Sequence, residues 1–244
     1  MNQNFAIVIP ARYGSTRLPG KPLLKIAGRE MVLRTWDRTI QAVGHEKVFI
    51  ATDDKRIADL CEAEGAKVVM TSDRCLTGTD RLFEFAEIIS GLDFIINVQG
   101  DEPIINPADI LKVIECAKRQ PNVIWNGFAP IVKEREWRSR TIPKVVVGAD
   151  DKLLYMSRSP VPGNKNDTFD KAWKQICIYS FPVAALRVFG NHRKKTELEE
   201  IEDIEILRFL ELGFDVRMVQ LSGESLAVDT LDDLGVMERL LLQQ

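Results

Sequence analysis

The sequence predicts an α/β fold in which a parallel sheet carries helices on both of its faces. Short apolar runs alternate with helical patterns along most of the 244 residues. The first run, Phe5 to Ile9, is continuously apolar and rich in β-branched residues, as expected of a strand buried on both faces. Such a doubly wound sheet binds its ligands beyond the carboxyl ends of its strands.

The individual elements follow from hydrophobic periodicity and from the placement of proline and glycine. In the first half, the pattern predicts helices at 31–42, 56–64, 79–90 and 109–119, alternating with strands at 48–51, 68–70 and 94–98. The second half is predicted to contain strands at 175–181, 216–221 and 226–228, a helix at 201–212 and a final helix.

Between these halves, the rhythm changes to charged, strand-like and proline-containing segments. We predict one domain over residues 1–244, with a hairpin-rich insertion at roughly 131–180. Proline restricts the chain there and suits a ribbon that leaves the main sheet. The insertion is interpreted either as a contact with a second subunit, giving a homodimer, or as a solvated excursion.

Composition excludes several classes of protein. The net charge of −3, from 33 basic and 36 acidic residues, gives no general attraction to nucleic acid or to an anionic membrane. The four cysteines form no CxxC pair, and with two histidines they give no zinc spacing, so reduced, cytosolic thiols are expected. No secretory signal or bilayer-spanning run is present, and a cytoplasmic protein is predicted.

Residues 9–23, IPARYGSTRLPGKPL, are the strongest chemical signal and directly follow the first strand. Gly14 and Gly20 permit close approach of backbone N–H groups to an anion. Arginine offers a planar fork for phosphate oxygens and lysine offers a mobile point charge. The segment supplies three such cations, Arg12, Arg17 and Lys21. It predicts a binding loop for a nucleoside triphosphate, and the alternative is an ordinary surface loop.

A second signal is NVQGDEP, residues 97–103, at the end of the predicted strand 94–98. Asp101 follows a glycine, so its carboxylate can reach the sheet edge, and Asp229 follows another short apolar run. Hard oxygen ligands without soft ones favour Mg²⁺. The alternative makes Asp101 a turn former and places Asp229 beside a helix cap formed by Thr230 and Asp233.

These segments, in this order, resemble the motifs of the bacterial CMP-Kdo synthetases over nearly the whole chain. The matching segments are IPARYGSTRLPGKPL, ATDD, TGTDR, NVQGDEP, YMSR, ELEEIEDIEILR and AVDTLDDL. The resemblance implies a Rossmann-like nucleotidyltransferase fold with a mixed, mostly parallel sheet, commonly homodimeric. It also implies a cytidylyltransferase that joins CTP to an acidic 3-deoxy sugar, Kdo or a modified Kdo, for lipopolysaccharide or capsule synthesis.

The resemblance assigns roles to individual residues. Arg12, Arg17 and Lys21 would bind the triphosphate, Asp101 and Asp229 would bind Mg²⁺, and Arg12, Lys21 and Asp101 would act in catalysis. Cytosine would be selected at Ala11, Thr77, Gly78 and Thr79. The sugar hydroxyl would attack the α-phosphorus in line, with its proton released either through a lowered hydroxyl pKa or to Asp101.

The sugar pocket is expected to contain an arginine and several hydrogen-bonding groups. The resemblance assigns this work to Gln99, Arg158, Tyr179 and Glu205, and Gln175 is a further candidate for the sugar pocket. Glu205 has independent support, because a helix would place it in an apolar stripe where an unpaired charge is costly. Its alternative role is a structural salt bridge with Arg208, one turn away.

Departures from the family pattern concentrate on the sugar side. Gln175 replaces a usual histidine, and Ile206 replaces a usual glutamine that would face the sugar. Near the base, Cys75 and Thr77 replace a common histidine and serine. The acceptor is therefore predicted to be Kdo or a modified form such as the 8-amino analogue. The alternatives are another acidic acceptor, such as a nonulosonic acid or phosphonate, and a non-catalytic nucleotide-binding regulator.

Overall fold

The computed structural model describes residues 3–14 and 18–242. The strands are β1 (Phe5–Ala11), β2 (Lys25–Ile26), β3 (Arg29–Glu30), β4 (Val48–Thr52), β5 (Lys67–Met70), β6 (Phe94–Val98), β7 (Ile124–Pro130), β8 (Lys144–Val147), β9 (Leu153–Ser157), β10 (Trp173–Pro182) and β11 (Val216–Gln220). The helices are α1 (Met31–Val43), α2 (Lys55–Ala63), α3 (Gly78–Ile88), α4 (Pro107–Arg119), α5 (Glu134–Arg138), α6 (Val183–Asn191), α7 (Glu197–Glu202), α8 (Ile206–Glu211) and α9 (Leu231–Leu242).

The main sheet has the strand order β11-β7-β10-β6-β1-β4-β5. β1 lies parallel to β4 and β6, while β10 runs antiparallel to both β6 and β7. The β8–β9 hairpin is attached to β10 rather than to the end of the sheet. The predicted α/β architecture with a mixed, mostly parallel sheet is therefore confirmed.

The sheet is buried on both faces because alternate residues of β1 point into two different cores. Phe5, Ile7 and Ile9 pack with α1, α2 and α4 on one face. Ala6 and Val8 pack on the other face, with α3, α6 and α8. This two-sided burial explains the continuous apolar run that the sequence shows at this strand.

One boundary and one strand pairing in the middle of the chain differ from the sequence pattern. β10 lies inside the main sheet, between β7 and β6. The excursion from the sheet therefore covers residues 131–172 and ends before Trp173. A two-residue shift between Ile176 and Tyr179 interrupts the pairing of β10 with β7. The bulge allows one long strand to pair with β7 and β8 at its start and with β6 at its end.

Two predictions near the C-terminus were wrong in part. The predicted helix at 201–212 is two helices, α7 and α8, because Asp203 adopts a left-handed conformation with φ 51°. Residues 226–228 form no strand, although Val228 donates its N–H to the Asp101 carbonyl at 3.0 Å. The apolar residues at 226–228 therefore belong to a segment bonded to the residue Asp101, and not to a strand of the sheet.

Within the described part of the chain, no helix combines the length and apolarity needed to cross a membrane.

Candidate functional site

A cavity of about 530 Å³ opens at the carboxyl ends of β1 and β6. The predicted site residues on its wall are Ala11, Arg12, Lys21, Thr77, Gly78, Gln99, Asp101, Arg158, Gln175, Tyr179, Glu205 and Asp229. The expectation that separate motifs meet at one sheet edge is thus met by the fold, which brings residues 218 positions apart into one wall.

The loop after β1 is fixed at both ends of its described part. Gly20 has a positive φ of 68° and donates its N–H to the Tyr13 carbonyl at 3.1 Å. A Cβ at Gly20 would lie 3.2 Å from the Tyr13 ring, so glycine permits this closure. The guanidinium carbon of Arg56 lies 3.5 Å from the centre of the same ring. Arg12 is exposed on the cavity wall, and Arg17 lies outside the described residues.

Lys21 joins the two predicted metal ligands. Its Nζ lies 2.7 Å from Asp101 Oδ2 and 3.0 Å from Asp229 Oδ1. Burial disfavours the ammonium, but the two carboxylates outweigh it and raise the pKa of Lys21. The three side chains therefore form a charged centre in which one cation already bridges both carboxylates.

The donor set at this centre fits Mg²⁺. Among the described residues, no group of three or more histidine, cysteine, aspartate or glutamate side chains is arranged to hold a metal by itself. Mg²⁺ is commonly bound by one or two carboxylates together with waters and substrate phosphates. Asp101 and Asp229 supply that number of hard oxygen ligands, and their 27% and 24% side-chain exposure leaves them accessible from the cavity.

The turn that carries Asp101 is packed tightly against neighbouring loops. A Cβ at Gly100 would lie 2.9 Å from the Pro10 carbonyl oxygen, so only glycine fits at this crossing. Glu102, 3% exposed, accepts a very short hydrogen bond from the Ser225 hydroxyl. The Ser225–Glu102 bond and the backbone bond from Val228 to Asp101 join this turn to the segment that carries Asp229. The carboxylates of Asp101 and Asp229 are therefore positioned by two chain segments that are bonded to each other.

Glu102 should make stability depend on pH. Burial, reinforced by the Asp101 carboxylate, raises the pKa of Glu102 to about 7. The folded protein then binds a proton that the unfolded chain has released, so stability falls as pH rises from about 4.5 to about 7. Between pH 5 and 7 the metal-free protein should lose about 2 kcal/mol through this group. In Glu102→Gln, the free energy of unfolding measured with urea should not show this decrease between pH 5 and 7.

The matched control for this prediction is Glu115→Gln, which changes an exposed glutamate of α4. It should leave the difference between pH 5 and 7 unchanged. Equal pH dependence in the wild-type protein and Glu102→Gln would contradict the assigned protonation.

Glu205 binds the start of α3 instead of forming the predicted alternative salt bridge. Its carboxylate accepts the Gly78 N–H at 3.1 Å, the Thr79 N–H at 2.8 Å and the Thr79 hydroxyl at 2.6 Å. The anion thus lies at the positive end of a helix, where free N–H groups favour it. Burial nevertheless raises the pKa of Glu205. The proposed pair with Arg208 is wrong, because that guanidinium binds Glu199 and Asp80.

These contacts change the expected role of residues 77–79. Thr77 caps α3 in a capping box with Asp80, and its own N–H is bonded to that carboxylate at 2.9 Å. In the described structure, the cavity wall includes Thr77 and Gly78 but not Thr79, whose amide and hydroxyl are engaged by Glu205. The idea that Thr79 contacts the base directly is therefore corrected to a supporting role, since its donors face Glu205.

Arg158 lies on the wall, but its guanidinium is largely bonded to backbone. It donates to the carbonyls of Glu202 at 2.6 Å, Asp203 at 2.9 Å and Arg140 at 3.1 Å. Arginine was expected to face the carboxylate of an acidic sugar. The structure adds another role, in which Arg158 ties the excursion to the α7–α8 junction.

Gln175 and Tyr179 are brought together by the bulge of β10. Gln175 Nε2 donates to the Tyr179 hydroxyl at 3.0 Å and to Asn126 Oδ1 at 3.0 Å. Burial raises the pKa of Tyr179 well above its usual value, so the phenol stays protonated. Ile206, in contrast, is 1% exposed within the α8 core and does not line the cavity. Its expected position facing the sugar is wrong, because its side chain packs in the core beside α8.

Several polar residues that support the site through ion pairs and hydrogen bonds were not predicted from the sequence. Glu102 and Arg81 lie inside quoted motifs, and Arg81 forms a buried ion pair with Asp53 at 3.0 Å. Asp53 also accepts the Tyr13 N–H at 3.4 Å, which links the ATDD motif to the loop after β1. Asn126 is fully buried in β7, and a polar residue beside glycine in an apolar strand was its available signal.

Comparisons with known proteins agree with this geometry. A family model described as cytidylyltransferase matches residues 6–218. The chain is 40% identical to a 3-deoxy-manno-octulosonate cytidylyltransferase of Geobacter metallireducens, covering 96% of each chain. It is 36% identical to an 8-amino-3,8-dideoxy-manno-octulosonate cytidylyltransferase of Shewanella frigidimarina, covering 95% of this chain and 96% of the relative.

A solved structure shows the same fold at similar sequence identity. CMP:2-keto-3-deoxy-manno-octonic acid synthetase, complexed with CTP, matches with a TM-score of 0.90 and 34% identity, covering 99% of each chain. The family match and the full-length relatives together identify the chain as a nucleotidyltransferase. It belongs to the cytidylyltransferase family.

Proposed function

We propose that this enzyme transfers a cytidylyl group from CTP to the anomeric hydroxyl of a 3-deoxy-octulosonic acid, releasing pyrophosphate. The observation that carries the proposal is the Lys21–Asp101–Asp229 centre on the wall of the 530 Å³ cavity. The relatives act on this sugar or on its 8-amino form by name. The product would serve lipopolysaccharide or capsule synthesis.

The nucleotide half of the proposed site lies over β1 and α3. Lys21, Arg12 and Arg17 would bind the triphosphate, and Ala11, Thr77 and Gly78 would border the cytosine. Asp101 and Asp229 would bind Mg²⁺ when CTP brings its phosphates, and the metal would then neutralise charge on the phosphates. Lys21 contributes a cation in the same place, which balances negative charge as the bond to pyrophosphate breaks.

Chemistry in this proposal depends mainly on alignment. The sugar hydroxyl attacks the α-phosphorus, the new O–P bond forms as the bond to pyrophosphate breaks, and the hydroxyl proton passes to water or to Asp101. Gln99 packs against Gly78, where a Cβ would lie 3.3 Å from its Nε2, so it borders a residue of the nucleotide half. Gln99, Arg158, Gln175, Tyr179 and Glu205 would surround the sugar, with Glu205 acting through the start of α3.

A substrate panel tests the proposal. Pyrophosphate release should be greatest with CTP and an eight-carbon 3-deoxy acid, and much lower with ATP, GTP or a nine-carbon acid. Turnover with a nine-carbon acid and not with the eight-carbon acids would contradict the substrate assignment. Tight CTP binding without turnover of any acidic acceptor would favour a regulatory protein.

Two further parts of the proposal concern assembly and location. We propose a homodimer formed through the excursion, where Val132 and Leu154 expose 74% and 57% of their surface. Light scattering should then give twice the 27.6 kDa chain mass. We also propose a cytoplasmic enzyme, which suits the free thiols of the four described cysteines.

A further inference from the structure

We infer that Gln175 presents its amide oxygen to the acceptor sugar, so that the sugar group it meets is a hydrogen-bond donor and not the carboxylate. The inference rests on the proposed function, because it concerns the acceptor half of that site. Its basis is a chain of three hydrogen-bonded groups that fixes which end of the Gln175 amide faces the cavity.

The chain starts at the bulge of β10. Asn126 Nδ2 donates to the carbonyls of Ile176 and Ile178, each at 3.0 Å. Carbonyl oxygens only accept hydrogen bonds, so the Asn126 amide nitrogen must face them. Gly127 helps to make the bulge possible, because a Cβ there would lie 3.2 Å from the Ile176 carbonyl. The orientation of Asn126 is therefore fixed by backbone.

The same logic fixes Gln175. With its nitrogen facing the bulge, Asn126 leaves Oδ1 as an acceptor, and Gln175 Nε2 donates to it at 3.0 Å. The second Nε2 hydrogen points to the Tyr179 hydroxyl, also at 3.0 Å. Both hydrogens of the primary amide are used inside the protein. The Gln175 oxygen is the group that remains for the cavity, whose wall includes this residue.

The polarity of this oxygen limits what it can bind. It accepts a hydrogen bond from a hydroxyl or an ammonium group, and it repels a carboxylate. Gln175 also belongs to β10, which lies on the opposite side of β6 from β1, in the half of the site assigned to the acceptor. Asn126 is therefore a positioning residue, and Gln175 determines specificity by offering an acceptor to the sugar.

Two variants separate this inference from its opposite. Gln175→Met keeps the length of the side chain and removes its hydrogen bonding. Gln175→Lys can still donate to Asn126 and Tyr179, but it presents an N–H and a positive charge to the cavity. Steady-state kinetics should use 3-deoxy-manno-octulosonate and its 8-amino-3,8-dideoxy form, with CTP saturating.

We expect the sugar KM to rise about tenfold in Gln175→Met, as for loss of one hydrogen bond, and further in Gln175→Lys. The CTP KM should stay within about twofold of the wild type, which verifies the fold and the nucleotide half. A larger rise for the amino sugar in Gln175→Lys would identify its ammonium as the donor. An equal rise for both sugars would identify a shared hydroxyl.

A sugar KM in Gln175→Lys that equals or falls below the wild-type value would overturn the inference, because a carboxylate would then face this position. An unchanged sugar KM in Gln175→Met would overturn it as well. If the wild-type protein turns over neither sugar, the proposed function fails and the inference fails with it. Active wild-type enzyme with unresponsive variants removes the inference alone.

Discussion

Replacing Asp101 by asparagine should lower turnover about a thousandfold, which corresponds to about 4 kcal/mol of transition-state stabilisation. Asparagine keeps the size of the side chain and can still accept a hydrogen bond from Lys21 Nζ, which lies 2.7 Å from the carboxylate. It removes the negative charge that the proposed Mg²⁺ site needs, so Asp229 alone would face the metal. The measurement is the rate of pyrophosphate release from CTP at saturating Mg²⁺ and sugar.

The matched control is Asp232→Asn, an equivalent change at an exposed position in the first turn of α9. It should keep nearly full activity, because the side chain is not on the cavity wall. A value of kcat in Asp101→Asn within tenfold of the wild type would show that this carboxylate is not needed for the transfer step. Equal losses in both variants would point to net charge rather than to the site.

Arg208→Met should be the most destabilising of the changes considered, by about 3–5 kcal/mol in the free energy of unfolding. The guanidinium is 0% exposed and binds both oxygens of Glu199, at 2.6 and 2.7 Å, as well as Asp80 at 3.0 Å. It also packs 3.7 Å from the centre of the Phe189 ring. Methionine restores part of the packing but leaves the fully buried Glu199 carboxylate without its cation. Urea unfolding measures the loss.

Two further variants test whether the loss of stability in Arg208→Met comes from the unpaired Glu199 carboxylate. Arg187→Met removes an exposed ion pair with Glu87 at 2.8 Å and should cost less than about 1 kcal/mol. The double variant Glu199→Leu/Arg208→Met removes both buried charges and should be more stable than Arg208→Met alone. If the double variant were the less stable protein, the cost would come from packing and not from an unpaired carboxylate.

The parts of the fold that the sequence predicted well are those with strong local patterns. β1 is a continuous apolar run, β6 is apolar except for Asn97, and α4 begins at Pro107 behind the Asn106 cap, so their bounds agree with the prediction within a few residues. The capping pair Thr230 and Asp233 is also confirmed, with reciprocal bonds at 2.8 and 3.2 Å. Each of these signals depends on neighbours in the chain.

The parts that could not be predicted depend on distant contacts. The break between α7 and α8 follows from Asp203, whose left-handed backbone is stabilised by Lys195 and Arg158 from other segments. Glu205 looked like a partner of Arg208 because the two are one turn apart in sequence. Its actual partners, Gly78 and Thr79, are more than 120 positions away.

The candidate site also has one part that the sequence predicted and one part that depends on distant contacts. The motifs predicted that Lys21, Asp101 and Asp229 belong to one site, since the loops that follow β1 and β6 meet at the same edge of a doubly wound sheet. The direct bonds from Lys21 to both carboxylates were not predicted, and Asp229 reaches the site on a segment that is not a strand. The support for Gln175 was not predictable, because it needs a bulge in one strand and a buried asparagine in the next. The sugar side therefore required the three-dimensional structure.

The proposed transfer reaction is tested most directly by ³¹P NMR of a mixture of enzyme, Mg²⁺, CTP and 3-deoxy-manno-octulosonate. We predict that the CTP signals are replaced by a phosphodiester signal of the CMP-sugar and a pyrophosphate signal in equal molar amounts. Omitting the sugar should leave CTP intact. CTP that stays intact with this sugar and with its 8-amino form would contradict the account.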